Sequence, residues 1–369
     1  MKSNFDFLNR YWPALAQIGA TAETYVYSDP NACIYKLGMF AERLVQEILV
    51  FEHIAEPAVD NTHANRIRIL KRAGLLPHEI DNTLYVLRKT RNSAVHIGTD
   101  SVDEAKTLLS LTYNLAVWFM ETYGDWGYIA PEFVMPSETT HEDLESVIAE
   151  QERKIEELTK QLAVVKTAAS GKTQKERARR SESVSAMMNW NEAQTRCLID
   201  EQLRLSGWEA DTQNLRYSKG TRPVKGRNIA ISEWPTNSAF YKNGYADYAF
   251  FVGEKLVALM DAKKMSEDVA STIDVQVKDY AAHIKPEDIP HTVGNWNGYQ
   301  VPFLFASNGR AYLEQLRTKS GIWFLDVREQ ENQPYPIRNW FSPSDLMEKL
   351  GQNTAAANQA LVAADNSFM

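Results

Sequence analysis

The fold of the second half of this chain is decided by residues 244–263, which read GYADYAFFVGEKLVALMDAK. Two β-rich runs, Tyr245–Val252 and Leu256–Lys263, flank Gly253 and Glu254. Apolar runs of this length on either side of a short glycine-containing segment are typical of a β-hairpin. Outside the hairpin, the hydrophobic patterns predict helices at residues 192–205 and 266–284 and buried strands at residues 228–231, 301–306 and 322–325.

The predicted hairpin carries three residues whose chemistry depends on its register. Asp261 and Lys263 lie two apart in one strand and therefore share one face. A two-residue loop pairs Asp247 with Met260 and turns Asp261 away, whereas a three-residue loop, 253–255, or a β-bulge places Asp247 opposite Asp261. One common site for the three side chains therefore requires an odd-length loop or a bulge.

Two carboxylates and a lysine are suited to phosphodiester hydrolysis. Asp247 and Asp261 are oxygen ligands for Mg²⁺, which acts as a Lewis acid and lowers the pKa of bound water. Lys263 then orients the attacking water or offsets negative charge on the phosphate. The alternative is a simple strand-end salt bridge, although apolar surroundings make an unpaired acid and lysine costly there.

The composition restricts the class of protein. The chain has 369 residues, enough for about two domains, and 44% of them are hydrophobic. A net charge of -8 argues against a protein coated in basic surface for nucleic acid, but not against a local basic track. Two cysteines exclude a disulfide framework, and no run reaches the roughly 18 apolar residues that span a bilayer. A cytoplasmic protein is therefore expected.

The pattern changes along the chain and predicts an α + α/β protein in four parts. Residues 1–136 have helical periodicity and form an amino-terminal helical domain. Residues 137–184 combine a seven-residue apolar repeat with a basic run, which predicts a coiled helical stalk followed by a solvated linker. Residues 185–350 form the α/β domain, and residues 351–369 read as a linker or frayed tail.

A further pair of side chains follows the hairpin. Gln276 and Tyr280 are four apart and lie on one face of the predicted helix. After Asp247 and Asp261-x-Lys263, this spacing resembles the QxxxY branch of the PD-(D/E)xK nuclease superfamily. The resemblance implies a restriction-endonuclease-like sheet flanked by helices and supporting roles for Gln276 and Tyr280. It extends loosely to Glu201 as an accessory acid.

Longer segments resemble the nuclease region of the R (restriction) subunit of type I restriction-modification enzymes, and the helical beginning resembles the amino-terminal part of that subunit. Asp261 stands where many members of that family carry Glu, and both residues ligate Mg²⁺. The segments that carry the resemblance are 215–220, 231–235, 244–248, 251–253, 261–263, 307–310 and 318–323.

The resemblance implies a Mg²⁺-dependent nuclease that cleaves double-stranded foreign DNA together with methyltransferase and specificity subunits. That family continues into an ATP-driven helicase-like motor. Gly171-Lys172-Thr173 imitates the end of a phosphate loop, but Lys166 stands at the place of its first glycine. The chain is therefore expected to be an amino-terminal fragment, with ATP relevant only to the motor of a complete subunit.

A basic stretch without acids between Thr212 and Ser232 is a candidate contact for DNA phosphates. The alternative for such a charge run is a solvated loop. Its five cations are Arg216, Lys219, Arg222, Lys225 and Arg227.

Two other functions remain open at the level of sequence. Arg91 and His96 resemble the Arg-x4-6-His signature of the HEPN helical superfamily, which implies an RNase in which His acts as an acid–base group and Arg binds phosphate. The structural alternative is that these side chains join neighbouring helices. A second possibility is a non-catalytic module that assembles the restriction complex.

Overall fold

The computed structural model describes most of the chain. Most of residues 139–166, which carry the seven-residue repeat of the predicted stalk, lie outside the described part, and so does the predicted tail beyond residue 352. The chain divides into two compact units, Met1–Asn189 and Trp190–Met369. The described residues are 3–56, 59–97, 101–138, 150, 153–155, 157, 167–188, 190–238, 244–265, 267, 269, 272–310, 312 and 317–352.

The first unit is helical, as the periodicity of residues 1–136 predicts. Its amphipathic helices turn their apolar faces inward: Leu37, Phe40 and Leu44 of the second helix are fully buried. A 3₁₀ turn, Asp6–Arg10, precedes the helices, and a π turn, Met120–Gly124, extends the last of them. The helices are α1 (Pro13–Tyr25), α2 (Pro30–Phe51), α3 (His63–Arg72), α4 (His78–Ile97) and α5 (Val102–Phe119).

The basic run after residue 170 is not the solvated linker that its charge predicts. Residues Gln174–Met187 form a helix, α6, whose first turn is fixed by a capping box between Thr173 and Glu176. The Arg177 side chain is only 9% exposed and pairs with Glu52 of α2. Arg177, and Arg180 with Glu121, therefore meet acids far away in the sequence, which a local charge pattern does not reveal.

The second unit contains a mixed seven-stranded sheet in its described residues, with the strands adjacent in chain order. Strands β1 and β2 are parallel, as are β4 and β5, while the other neighbours are antiparallel. The strands are β1 (Glu209–Ala210), β2 (Asn228–Pro235), β3 (Tyr245–Val252), β4 (Lys255–Ala262), β5 (Phe303–Ser307), β6 (Ile322–Asp326) and β7 (Tyr335–Pro336).

Helices cover both faces of this sheet, so the expected α + α/β class is confirmed. Helix α7 (Glu192–Leu205) packs Ile199 and Leu203 on one face, and α9 (Pro343–Gly351) adds Leu346 there. On the other face, a π turn (Ile273–Val277) continues into α8 (Lys278–Ala282). Helix α7 has the bounds that its pattern predicts, whereas the helix predicted from residue 266 is seen from Ile273.

The described residues contain no helix long and apolar enough to cross a membrane.

Candidate functional site

A β-bulge in β4 sets the register of the two aspartates. The hairpin loop has two residues, because Val252 pairs with Lys255. The register then shifts by one residue between Phe250 and Phe251, which leaves Val257 as the extra residue of β4. Beyond the bulge Tyr248 faces Met260, so the next position of β3 brings Asp247 opposite Asp261. The bulge therefore meets the condition that the sequence sets for one common site.

Asp261, Lys263, Gln276 and Tyr280 form one hydrogen-bonded group. Lys263 Nζ lies 2.5 Å from Asp261 Oδ2 and donates to Gln276 Oε1 at 2.9 Å. The Gln276 amide donates to Asp261 Oδ1 at 3.0 Å and to the Tyr280 hydroxyl at 2.7 Å. The helical segment after the hairpin thus contacts both the second aspartate and the lysine through Gln276, and the Tyr280 hydroxyl accepts from the same side chain.

Asp247 completes this group from β3. Its Oδ2 accepts a hydrogen bond from the Ala262 backbone amide at 2.6 Å, and its Oδ1 pairs with the Arg196 guanidinium. Burial raises the pKa of Asp247 to about 7; Arg196 opposes this shift and the Asp261 charge adds to it. Burial also raises the pKa of Asp261, against the effect of Lys263.

Three residues around Asp247 are absent from the sequence-based candidates. Arg196 of α7 pairs with Glu192 at 2.7 Å and with Glu233 of β2 at 3.5 Å. The only local signal is the i, i+4 spacing of Glu192 and Arg196 on a predicted helix, which is common on surfaces. The contact of Arg196 with Asp247 arises from tertiary packing across 51 residues of sequence.

Glu201 lies elsewhere. Its side chain is 1% exposed, and its Oε2 pairs with Arg204 on the same helix at 2.9 Å. Among the described residues, the Glu201 side chain forms no hydrogen bond or ion pair with Asp247, Asp261 or Lys263. The accessory role implied for Glu201 stays a prediction, and Glu192 is the acid of α7 that belongs to the Asp247 network.

The donor set suits a hard divalent cation held by few protein ligands. Two adjacent carboxylates supply oxygen atoms, and Mg²⁺ is usually bound by one or two carboxylates with waters completing its shell. Asp261 Oδ2 is buried and, apart from its ion-pair contact with Lys263, has no hydrogen-bond partner among the described residues. No group of three or more His, Cys, Asp or Glu side chains with metal-binding geometry occurs in the described part. Two adjacent carboxylates are the kind of ligand that Mg²⁺ commonly takes from a protein.

The raised pKa of Asp247 predicts a pH-dependent stability of the metal-free protein. The folded state keeps this proton up to about pH 7, whereas the unfolded carboxyl releases it near its ordinary value of 3.8. Because the folded state binds more protons between these limits, the free energy of unfolding falls as pH rises. Urea unfolding in EDTA is expected to show a shallower decline between pH 4 and 7 for Asp247→Asn than for wild type; the buried Asp200, whose pKa is also raised, still contributes to the decline in the variant. Asp274→Asn, at an exposed acid, is the control; parallel curves for wild type and Asp247→Asn contradict the expectation.

The five cations of the basic stretch are not equivalent. Arg216 pairs with Glu233 at 2.6 Å and Arg227 pairs with Glu209 at 2.5 Å, so two of them have acidic partners. Lys219, Arg222 and Lys225 are exposed. Phosphate binding by this stretch stays a prediction, with these three best placed to make it.

In the first unit, Arg91 pairs with Glu42 at 2.5 Å and lies 5.1 Å from the centre of the Tyr35 ring. These contacts join α4 to α2, in keeping with the structural alternative. The side chain of His96 lies outside the described part, so the predicted RNase pair is not seen together.

The class defined by the fold and this site is a mixed α/β domain with paired carboxylates and a lysine at the end of a bulged hairpin. Residues 209–350 match the family model of the type I restriction enzyme EcoKI endonuclease subunit second domain. The chain is also 29% identical, over 442 aligned residues, to the type I restriction enzyme EcoKI endonuclease subunit of Escherichia coli (strain K12). The chain is thus similar to the endonuclease subunit of a type I restriction enzyme, and the family-model match is confined to residues 209–350.

That alignment covers 100% of this chain and 37% of the relative, so the chain spans just over a third of the relative's length. No solved structure matches the chain significantly.

Proposed function

We propose that this chain carries the Mg²⁺-dependent DNA endonuclease site of a type I restriction enzyme R subunit and cleaves double-stranded foreign DNA by phosphodiester hydrolysis. Two independent lines support the proposal. The relative is an endonuclease subunit by name. The family model of its second domain matches residues 209–350, which include Asp247, Asp261 and Lys263. The carboxylates and the lysine predicted from the hairpin lie together.

The observation that carries the proposal is the bulge at Val257 together with the contacts that it permits. Without the bulge, the hairpin loop pairs Asp247 with Met260 and separates the two carboxylates. With it, Asp247 affects the pKa of Asp261, and Asp261 contacts Lys263. An irregularity that brings buried charges together costs stability, so a functional role accounts for it better than a structural one.

In the proposed mechanism Asp247 and Asp261 hold the cation. When bound, Mg²⁺ supplies Lewis-acid activation of the phosphate and lowers the pKa of bound water. Burial alone lowers the pKa of Lys263, but the Asp261 charge and hydrogen bond outweigh it and hold this pKa above its ordinary value. In the metal-free protein Lys263 is therefore held as an ammonium, and in the proposed mechanism this charge orients the water and offsets phosphate charge.

Gln276 and Tyr280 position these groups. The Gln276 amide contacts both Asp261 and Lys263, and the Tyr280 hydroxyl accepts from the same amide. The lysine and the carboxylate are thereby fixed relative to each other before substrate binds, which favours a preorganised site.

The wider assembly is also part of the proposal. The name of the relative places it in a type I restriction enzyme, and the resemblance implies methyltransferase and specificity subunits as partners. Double-stranded DNA is the substrate, with Lys219, Arg222 and Lys225 contacting its phosphates. ATP belongs to the motor of the complete subunit.

Replacing Asp261 tests the nuclease assignment. In an enzyme reconstituted with its methyltransferase and specificity subunits, Asp261→Ala is expected to leave no detectable double-strand cleavage, because one of two cation ligands is lost. Assembly, measured by size-exclusion chromatography, stays intact. Asp274→Ala, at an exposed acid paired with Lys278, is the matched control. Normal cleavage by Asp261→Ala contradicts the assignment.

A further inference from the structure

The two carboxylates of the candidate site are already balanced by two cations of the chain. Lys263 contacts Asp261, and Arg196 contacts Asp247. A divalent cation that binds both carboxylates adds two positive charges to a group that is close to neutral. One of the resident cations therefore opposes metal binding unless it moves.

Arg196 is placed to move. Its side chain is 15% exposed and lies among three acids: Asp247, Glu192 at 2.7 Å and Glu233 at 3.5 Å. Its Nε has no hydrogen-bond partner among the described residues. Arg196 engages Glu233 only at this longer distance, and the same Glu233 oxygen also accepts from Arg216 at 2.6 Å.

Glu233 has a backbone conformation that a side-chain-bearing residue rarely adopts. Its φ is +53°, although it lies within β2. Such a conformation is strained, and strained residues cluster at functional sites. Ser232 faces Tyr248 and Trp234 faces Ala246, so Glu233 stands at the position of β2 opposite Asp247. The strained residue thus sets a carboxylate beside the guanidinium that holds Asp247.

We propose that Arg196 is the exchangeable counter-ion of Asp247, and that Glu192 and Glu233 take over its guanidinium when a divalent cation binds to Asp247 and Asp261. The inference rests on the proposed function and adds two positioning residues, Arg196 and Glu233, to the same site. Arg196 keeps the buried Asp247 carboxylate paired in the metal-free protein.

The exchange follows from geometry and charge. A divalent cation on the Asp247 carboxylate would compete with the Arg196 guanidinium for its negative charge. Moving Arg196 to Glu192 and Glu233 keeps it paired, which avoids the cost of leaving a buried charge alone. Arg196 already lies 2.7 Å from Glu192 and 3.5 Å from Glu233.

Isothermal titration of the full chain with Mg²⁺ at pH 8.5 tests the proposal without any activity assay. Arg196→Met is expected to bind Mg²⁺ about fivefold or more tightly than wild type, because a competing unit charge is removed. Arg204→Met is the matched control, since it removes an arginine of the same helix that pairs with Glu201. Arg196→Lys keeps the charge and is expected to stay within about twofold of wild type.

The role of Glu233 as an alternative partner of Arg196 is tested by a variant that is expected to weaken Mg²⁺ binding. Glu233→Gln is expected to weaken Mg²⁺ binding about threefold, because Arg196 then loses one of its two alternative partners. Glu209→Gln removes the acid that pairs with Arg227 and is the control. Circular dichroism in EDTA confirms that each variant is folded before titration.

The outcomes separate this inference from the proposed function. If Mg²⁺ binds and Asp247→Ala abolishes binding, but Arg196→Met matches Arg204→Met, the counter-ion exchange is wrong and the metal site stands. If neither wild type nor Arg196→Met binds Mg²⁺, the metal site itself is wrong. Tighter binding by Arg196→Met together with weaker binding by Glu233→Gln supports the exchange.

Discussion

Lys263→Met is expected to lower the rate of double-strand cleavage by about a hundredfold to a thousandfold, the effect of removing one preorganised charge-stabilising donor. Methionine keeps the apolar stem of the side chain but removes the ammonium. That ammonium lies 2.5 Å from Asp261 Oδ2 and 2.9 Å from Gln276 Oε1, where it faces the carboxylate that is proposed to hold the cation. The measurement is single-turnover cleavage of circular DNA by the reconstituted enzyme.

Metal binding distinguishes this variant from a damaged site. Lys263→Met removes a positive charge beside Asp261, so Mg²⁺ binding by calorimetry is expected to be retained or tightened. Asp261→Ala is expected to lose binding and cleavage together. Lys264→Met, at the exposed neighbouring lysine, controls for the loss of a basic residue. Cleavage by Lys263→Met at the rate of Lys264→Met contradicts the proposed role.

The elements of the second unit follow closely from local pattern. Helix α7 has its predicted bounds because Asn191 caps its start and the apolar residues Ile199 and Leu203 recur at helical spacing. The two runs of the hairpin are found as β3 and β4 because their nearly continuous apolar content suits strands that are buried on both faces. The contact of Gln276 with Tyr280 was also predictable, since residues four apart on a helix are neighbours.

The register of the hairpin was not predictable. Sequence alone left open whether the loop has two or three residues, and the structure has a two-residue loop with a compensating bulge at Val257. A bulge depends on packing against both neighbouring strands and leaves no residue-type signal when the extra residue is valine. From the sequence, Asp247 and Asp261 could therefore be expected to lie opposite each other only if the hairpin has an odd-length loop or a bulge.

Ion pairs between residues that are far apart in sequence account for the other differences between the expected and the observed structure. Arg196 contacts Asp247 and Arg177 contacts Glu52 across 51 and 125 residues of sequence. A run of charged residues predicts a solvated segment when its ion-pair partners are distant in sequence. The pattern therefore predicts a linker where the structure has the helix Gln174–Met187. The periodicity of the predicted stalk concerns residues that are mostly outside the described part, and it stays a prediction.

The Arg177–Glu52 pair has the largest expected effect on stability in the first unit. Arg177 donates from Nε to Glu52 Oε1 at 2.7 Å and from Nη2 to Oε2 at 2.5 Å, while the Glu52 side chain is 1% exposed. The guanidinium also lies 5.2 Å from the Phe51 ring centre. Arg177→Met leaves a buried carboxylate without its partner, which typically costs about 3–5 kcal/mol.

Hydrogen exchange under native conditions measures this loss locally, because the chain has two compact units and a single unfolding transition is not assured. Protection of amides in α2 and α6 is expected to fall in Arg177→Met and to stay unchanged in Arg179→Met, which removes an exposed arginine of the same helix. The double variant Glu52→Met with Arg177→Met is expected to recover most of the protection, since replacing both members of a buried pair by apolar residues is often nearly neutral. A double variant less protected than Arg177→Met alone contradicts the view that the unpaired Glu52 carboxylate causes the loss.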